Sequence, residues 1–446
     1  MNHEQPMRRL DLFVFWSLVG MLLVGSWQLC PPVSADTAVS AAADVQGADA
    51  GTCPALDAAT MRIRVCGNRL ADGKGFTVQL RGVNVAGLEA VPIQGWDPDN
   101  PWGDATGTKT PDWALIMSWG VNAVRLPVNE ASWLGLSCID YGGSGSTVDR
   151  SGKRPNRPGQ SVRADPGGNY RSAVTQSVTE ATAAGLYVIL DLHLSAPGDG
   201  CPNAQNAMAD QDHAPAFWTS LASTFKGHSN VLFELFNEPF LDQAPLQDAT
   251  PWEALIEGKG TIRSYNVQGN PGLVNKPWRP AGMQQMLDAV RAAGATNVIL
   301  TGTIAYDSAL DGWLEHHPAD TLHPAQIAAA WHAYPAQDHA DQVNCIGLPA
   351  CSAKIMQSAL DVLSAGYPVV ITEYGDTVRA GQAALASRLL PFADAHGISY
   401  FAWTWDPWVG TTYYLITDAG GHPTAGYGEY VKAHYLCRHD GKASCP

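Results

Sequence analysis

Two glutamates stand at the ends of two short apolar runs. Val231-Leu232-Phe233-Glu234-Leu235-Phe236 leads into Asn237-Glu238-Pro239, and Pro368-Val369-Val370-Ile371-Thr372 leads into Glu373-Tyr374. The proline after Glu238 stops a strand, because it has no N–H for the ladder and a fixed φ. Glu238 and Glu373 are therefore expected at the C-terminal tips of two strands. Glu234 reads as one polar position in a mostly buried strand. Two carboxylates facing each other across a cleft are what glycoside hydrolysis needs: one protonates the leaving oxygen, and the other attacks the anomeric carbon or activates water. The competing reading is a salt bridge at the mouth of the fold, with Arg125 as the cation.

The elements that must position these groups show a regular alternation. Apolar runs at 76–85, 120–128, 187–193, 231–238, 297–301, 328–334, 368–374 and 399–405 read as strands. Between them, 170–185, 216–226, 281–294, 352–366 and 381–397 carry apolar residues at helical spacing, several ending at a glycine, which is a helix stop signal. Continuous apolar strands, each followed by a helix, mean a parallel sheet buried on both faces. Eight such units predict an α/β fold, a (β/α)8 TIM barrel, whose active site lies at the C-terminal ends of the strands. The runner-up is a doubly wound open sheet. Its phosphate fingerprint is missing from the first turn, Gly82-Val83-Asn84-Val85-Ala86-Gly87, which does not fit G-x-G-x-x-G. Arg125, His193, Asn237, His332 and Tyr334 also fall at strand ends, which is hard to read as packing alone.

The longest segments follow strands: 86–112, 129–169 and 240–279. In a barrel all of these land on the catalytic face. They carry Trp96, Trp102, Trp133, Tyr141, Trp252, Tyr265 and Trp278, which are expected to wall a groove. Before the barrel, 62–70 and a turn at Asp72-Gly73 predict a small N-terminal hairpin closing one end of the domain. The chain carries 42 acidic and 27 basic residues, a net charge of −15, with no dense Lys/Arg run. That excludes a nucleic-acid partner, since phosphate binding needs basic patches.

The N-terminus reads as an export signal over 1–35. Arg8 and Arg9 precede an apolar run from Leu12 to Gly25, and Val33-Ser34-Ala35 offers a cleavage site. An uncleaved membrane anchor is the alternative. Residues 36–52, rich in Ala, Asp, Ser and Gly, are expected to form a disordered linker, with 53–446 as one catalytic domain. Eight cysteines lie beyond the signal, an even number that suits disulfides in an exported protein. Their spacing suggests 53–66, 345–351 and 437–445, which leaves 138 with 201, though sequence does not fix connectivity. Cys/His ligand spacing for zinc does not occur.

These motifs resemble glycoside hydrolase family 5, the cellulase-type family of retaining clan A barrel hydrolases, over roughly residues 75–435. Asn237-Glu238-Pro239 is similar to its acid/base motif and Thr372-Glu373-Tyr374-Gly375 to its nucleophile strand. Arg125 in Val-Arg-Leu-Pro, His193 in Asp-Leu-His, His332 and Tyr334 in Trp-His-Ala-Tyr, and Trp403 in Trp-Thr-Trp match the rest of its active-site set. The resemblance implies a secreted endo-1,4-β-glucanase acting by double displacement on a β-linked polysaccharide or oligosaccharide. Glu373 would be the nucleophile and Glu238 the acid, then the base, at a carboxyl separation of ~5–5.5 Å. Glu238 must start protonated, which calls for a raised pKa. Arg125 would keep Glu373 ionised and Tyr334 would hold it. Asn237 would bind the sugar 2-hydroxyl, Trp403 would stack under the sugar, and His193 and His332 would orient hydroxyls or carboxylates. No cofactor or metal is required, and a monomer is expected. The chain departs from many such cellulases in Leu194-Ser195-Ala196-Pro197-Gly198, where they carry Trp after the histidine, and in the long insert after the fourth strand. A β-mannanase or other β-glycosidase of the same family is the alternative, and a non-catalytic carbohydrate-binding barrel is the alternative of another class.

Overall fold

Eight parallel strands close on themselves. The structure, a computed structural model, describes residues 53–56, 61–89, 111–136, 138–140, 161–163, 169–198, 205–263, 276–335, 349–378, 383–407, 413–442 and 444–446. In chain order the elements are β1 (Arg64–Cys66), β2 (Arg69–Ala71), β3 (Thr77–Val78), β4 (Arg81–Asn84), α1 (Trp113–Met117), β5 (Ala123–Asn129), α2 (Glu130–Trp133), β6 (Cys138–Asp140), β7 (Ser161–Arg163), α3 (Asn169–Ala183), β8 (Tyr187–Leu194), α4 (Ala214–Phe225) and β9 (Val231–Glu234). Then come β10 (Leu246–Gln247), α5 (Pro251–Glu257), β11 (Thr261–Arg263), β12 (Pro277–Trp278), α6 (Met283–Ala292), β13 (Ile299–Thr301), β14 (Ile327–Ala333), α7 (Pro349–Ser364), β15 (Val369–Tyr374), α8 (Ala386–His396), β16 (Ser399–Ala402) and α9 (Tyr427–His439). The barrel runs β4-β5-β8-β9-β13-β14-β15-β16 and back to β4, each pair parallel. This is the (β/α)8 fold, with a strand in each of the eight predicted runs.

Every residue of β5, β14 and β15 is buried, as expected of strands covered by helices outside and side chains within. Pro127 sits inside β5 without breaking the barrel. The pairing with β4 ends at Arg125, so the proline lies beyond that ladder and pairs in register only with Asp191 of β8. The barrel floor is apolar. Ile189, Leu232, Leu300, Ala328, Val370 and Phe401 fill it, and Ile63, Val65 and Leu70 of the N-terminal antiparallel strands pack against them. The predicted hairpin thus closes the end opposite the active site, as three strands. The Ile63 N–H donates to the Ser229 carbonyl at 2.8 Å, and the Cys53–Cys66 disulfide ties the piece together. Gly82 is needed in β4: a Cβ there would lie 2.1 Å from the Phe401 ring.

The second disulfide, Cys437–Cys445, also matches its expected spacing. The 345–351 and 138–201 pairings lie outside the described residues, as do the 1–35 signal and the 36–52 linker. Three of the aromatic residues expected to wall a groove do not. Trp133 is 1% exposed, its ring packed on Phe217 and Phe225 and its Nε1–H donating to Ser220. Trp278 is buried in β12, and Trp252 stacks on His316. Trp133 is thereby anchored on the 214–225 helix, because burying an indole against a helix stabilises more than presenting it to water. Trp96, Trp102, Tyr141 and Tyr265 lie outside the described residues.

Helix α9 is the longest helix that apolar periodicity misses. Its buried face is Tyr427, Gly428, Val431, His434, Tyr435 and Cys437, largely aromatic and polar. Hydroxyls replace aliphatic packing there. The Tyr435 hydroxyl donates to the Gly82 carbonyl at 2.8 Å, and that of Tyr427 to the Tyr374 carbonyl at 2.8 Å.

Candidate active site

Arg125, third in β5, is fully buried. Asn84 of β4 pairs with it in register, and Asp191 of β8 pairs with Glu234 of β9. Successive strands thereby bring polar side chains together around one guanidinium. A guanidinium offers five N–H donors, and five oxygens surround this one. Nε donates to Glu234 Oε2 at 2.7 Å, Nη1 to Glu373 Oε1 at 2.6 Å and to Asn84 Oδ1 at 2.9 Å, and Nη2 to Asn237 Oδ1 at 2.8 Å. Nη2 also forms an ion pair with Asp191 Oδ2 at 2.9 Å. Arg125 thereby holds Glu373 and Asn237 in place. Burial opposes its charge, but Asp191, Glu234 and Glu373 outweigh that and hold its pKa well above the usual value.

Glu373 and Glu238 face each other over His332. Tyr334 donates its hydroxyl to Glu373 Oε2 at 2.7 Å. Burial and the Glu373 charge push the Tyr334 phenol well up, so it stays a donor. His332, 1% exposed, places Nδ1 at 3.0 Å from Glu238 Oε1 and 3.6 Å from Glu373 Oε2, and one oxygen from each glutamate lies within 4.8 Å of the other. The other ring nitrogen lies 3.1 Å from Thr372 Oγ1, which itself donates to Glu234 Oε1 at 2.9 Å. The threonine has one hydrogen and gives it to Glu234, so Nε2 must carry its own. The remaining proton therefore lies between Nδ1 and Glu238.

Electrostatics puts that proton on His332. Burial lowers the imidazole's affinity for it, but Glu373, Glu234 and Glu238 together raise its pKa well above the usual 6.5. For Glu238, burial pushes upward, but the hydrogen bond and charge of His332 and the amide of Gln205 bring it below its usual range. The expectation of a raised Glu238 pKa is thus corrected. Its neighbour is an imidazolium, which stabilises the carboxylate. Glu234 is likewise pushed up by burial but drawn down to about 2 by Arg125 and His332.

The chain leaves the ladder after Glu234, so Glu238 lies four residues past its strand. It sits at φ 49° in the left-handed region, which costs a non-glycine residue about 1–2 kcal/mol. Its N–H donates to Asp307 Oδ2 at 3.1 Å, and the Asp307 carbonyl accepts from the His332 N–H at 2.8 Å. Asp307 thus aligns both partners of the shared proton. Its Oδ1 accepts from the Thr303 N–H at 2.6 Å, an approach that needs Gly302: a Cβ there would fall 1.7 Å from Oδ1.

His193 and Trp403 form a wall of the cleft, their rings parallel at 5.7 Å. His193 Nδ1 lies 2.7 Å from Asp191 Oδ2, and burial lowers its pKa, so the neutral ring donates through Nδ1 and presents Nε2 as an acceptor. Gln205 donates to Glu238 Oε2 at 3.0 Å. All eight predicted residues, Arg125, His193, Asn237, Glu238, His332, Tyr334, Glu373 and Trp403, come together at the C-terminal end of the barrel.

Sequence reasoning missed Asn84, Asp191, Gln205, Asp307 and Thr372, and took Glu234 for an isolated polar position. Two of these had a signal. Asp191 precedes His193 by two, and residues i and i+2 share a strand face. Glu234 is a charge in an apolar strand, and such a charge needs a buried partner. Asp307 and Gln205 lie in loops where no period applies.

The cellulase family (glycosyl hydrolase family 5) matches residues 71–408. Endoglucanase E-5 of Thermobifida fusca is 24% identical over 397 residues, which cover 85% of this chain and 64% of that protein. Endoglucanase A of Butyrivibrio fibrisolvens is 25% identical over 314 residues, 70% of this chain and 52% of that protein. The chain thus spans less than two thirds of the length of these curated relatives. Among solved structures, a β-glucanase of Saccharophagus degradans in complex with cellotetraose superposes with a TM-score of 0.54 at 21% identity, over 85% of this chain and 94% of that one. At that identity the likeness carries the fold alone. The family match takes in all eight barrel strands, and the chain belongs to the cellulase family, glycosyl hydrolase family 5.

Proposed function

We propose that this chain is a secreted retaining endo-1,4-β-glucanase, with Glu373 as nucleophile and Glu238 as acid, then base. The observation that carries this reading is the pair of carboxylates on either side of His332, with oxygens within 4.8 Å. Inverting enzymes hold their two carboxyl groups ~6.5–9.5 Å apart to admit a water, and retaining ones ~5–5.5 Å apart. Arg125 and Tyr334 hold one oxygen of Glu373 each, which aims the carboxylate. With Oδ1 of Asn237 committed to Arg125, its amide nitrogen is the group that donates to the sugar 2-hydroxyl. His193 Nε2 accepts from a second hydroxyl, and Trp403 offers the ring face for the sugar's C–H bonds.

The proton for the leaving oxygen comes from the His332–Glu238 hydrogen bond. Moving it from Nδ1 to Oε1 makes the acid without moving either side chain. The glucan preference rests on the relatives named endoglucanases and on the β-glucanase that holds cellotetraose. Two disulfides support export, since they persist in oxidising compartments.

Proton NMR of the first product from a cello-oligosaccharide tests the mechanism: the β-anomer is expected, and α first would overturn double displacement. Glu373→Ala separates enzyme from binding barrel. We expect carboxymethyl-cellulose cleavage to fall by at least about a thousandfold, and wild-type activity in that variant would remove Glu373 from the chemistry. A panel of cellulose, mannan, xyloglucan and mixed-linkage glucan with product sizing fixes the substrate and the endo action.

A further inference from the structure

A second cluster of ligand-bearing side chains joins the segments that follow β5 and β8. Glu130 opens α2, just after β5. Asp210 and His213 lie just before α4, on the segment that follows β8. Glu130 and Asp210 are both fully buried. His213 Nδ1 is 3.0 Å from Asp210 Oδ1 and 3.9 Å from Glu130 Oε1, and one ligand atom from each of the three lies within 4.8 Å of the others.

Asp210 is well satisfied: Oδ2 accepts from the Ala196 N–H at 2.9 Å and Oδ1 from the His213 N–H at 3.0 Å. Glu130 is not. Both of its carboxylate oxygens are buried and neither makes a well-formed hydrogen bond, although the Ala196 backbone and the Asp210 carboxyl lie close to it. A buried carboxylate so placed beside a second one is costly unless a proton or a cation joins them. His213 reaches Asp210 and falls short of Glu130.

We propose that Glu130, Asp210 and His213 bind a divalent transition-metal ion of the Zn2+ type, which fastens the segment after β5 to the segment after β8. One imidazole nitrogen and two carboxylates suit Zn2+ or Mn2+ better than Ca2+, which takes oxygen ligands alone. Bonds of ~2.0–2.2 Å at a tetrahedral angle put ligand atoms ~3.3 Å apart, so side-chain movements of an ångström or so close the set. Nδ1 must be free of hydrogen to coordinate, so the ring binds as its Nε2–H tautomer.

The consequence reaches the cleft. Asp210 holds Ala196. Ser195 donates through Oγ to the Met208 carbonyl at 3.0 Å, and its own carbonyl accepts from Asn206 at 3.1 Å. The neighbour of Asn206 is Gln205, which touches Glu238. A metal at this site fixes the loop that presents Gln205, without touching substrate itself.

The test uses the full chain stripped with a chelator and titrated with Zn2+, Mn2+ and Ca2+. Equilibrium dialysis with metal analysis counts the sites, and Tm reports coupling to the fold. We expect one Zn2+ per chain, a Tm rise of a few degrees at about a hundredfold excess over Kd, and loss of both in Glu130→Gln. If that variant fails to fold, His213→Gln, whose side chain is partly exposed, gives the same reading. Zn2+ also has two triplets that share His332 available, Glu238, His332 and Glu373, and Glu234, Asp307 and His332, so His332→Gln is the control. Binding kept in His332→Gln and lost in Glu130→Gln supports the site. Binding lost in His332→Gln instead, no binding at all, or Ca2+ displacing Zn2+ at equal concentration overturns it; no binding would leave a proton shared by the two carboxyls.

Discussion

Arg125→Lys tests whether the polar centre rests on donor number or on charge alone. Arginine donates to four acceptors and forms an ion pair with a fifth, Asp191, three of the five groups being carboxylates. Lysine keeps the positive charge and supplies three donors. At least one hydrogen-bonded acceptor then loses its donor in a fully buried setting. A hydrogen bond to a charged group contributes about 1.5–3 kcal/mol, so the variant should lose at least that much unfolding free energy. That is an appreciable part of the roughly 5–15 kcal/mol that holds a domain together. Urea denaturation followed by tryptophan fluorescence measures it: the midpoint should fall with the slope unchanged, because the fold still buries the same surface. Activity should fall as well, since Glu373 Oε1 and Asn237 Oδ1 are both held by this guanidinium. A loss under about 1 kcal/mol would refute the reasoning, for it would mean that one buried cation of any shape satisfies the three carboxylates.

Two further outcomes follow from the acid/base pair. His332 has its pKa raised above its unfolded value of 6.5, so its contribution is complete below 6.5 and fades as pH climbs through the folded value. Glu238 has its pKa lowered below its unfolded value of 4.5, so its contribution is complete above 4.5 and fades as pH falls through the folded value. The stability advantage of wild type over His332→Gln should therefore be flat between pH 4.5 and 6.5 and shrink on both sides. An advantage that keeps growing above pH 6.5 contradicts an imidazolium at this position. Gly302→Ala should lower kcat by displacing Asp307, and with it Glu238 and His332, while costing about 1–3 kcal/mol in a thermal melt. Unchanged kcat would show that Asp307 does not align the acid.

The barrel was legible because its code is local. Alternating apolar strands and helical stretches declare themselves over windows of ten or so residues, and all eight strands fell where the pattern put them. Helix α9 escaped because it packs through Tyr427, His434 and Tyr435, whose hydroxyls and ring nitrogens bond to barrel carbonyls and to Asp394. No apolar period records that. The same limit divides the site. Residues that could touch sugar stand at strand tips and carry motif context. The residues that hold them, Asn84 and Thr372 on strands and Asp307 and Gln205 on loops, are set by contacts across the barrel, such as Asn84 donating to the Thr372 carbonyl at 3.0 Å. Trp133 shows the converse: residue type suggested a groove wall, and only the packing shows that its ring is buried against Phe217 and Phe225.

The lowered pKa of Glu238 looks at odds with an acid, but the conflict dissolves once the proton is assigned to the pair and not to one residue. His332 and Glu238 share one proton over 3.0 Å, and Glu373 is close to both. While Glu373 carries its negative charge, it raises the pair's affinity for that proton. The first step of the proposed double displacement needs the proton in that state. On that proposal, esterification of Glu373 by the sugar removes its charge, and the affinity of the pair falls. The second step, in which Glu238 takes a proton from water, begins in that state. In the mechanism proposed above, the charge on Glu373 sets when the pair is acid and when it is base. Arg125 and Thr372 enforce the sequence from either side, one by anchoring Glu373 and the other by committing His332 Nε2–H, so that Nδ1 is the only exit for the proton.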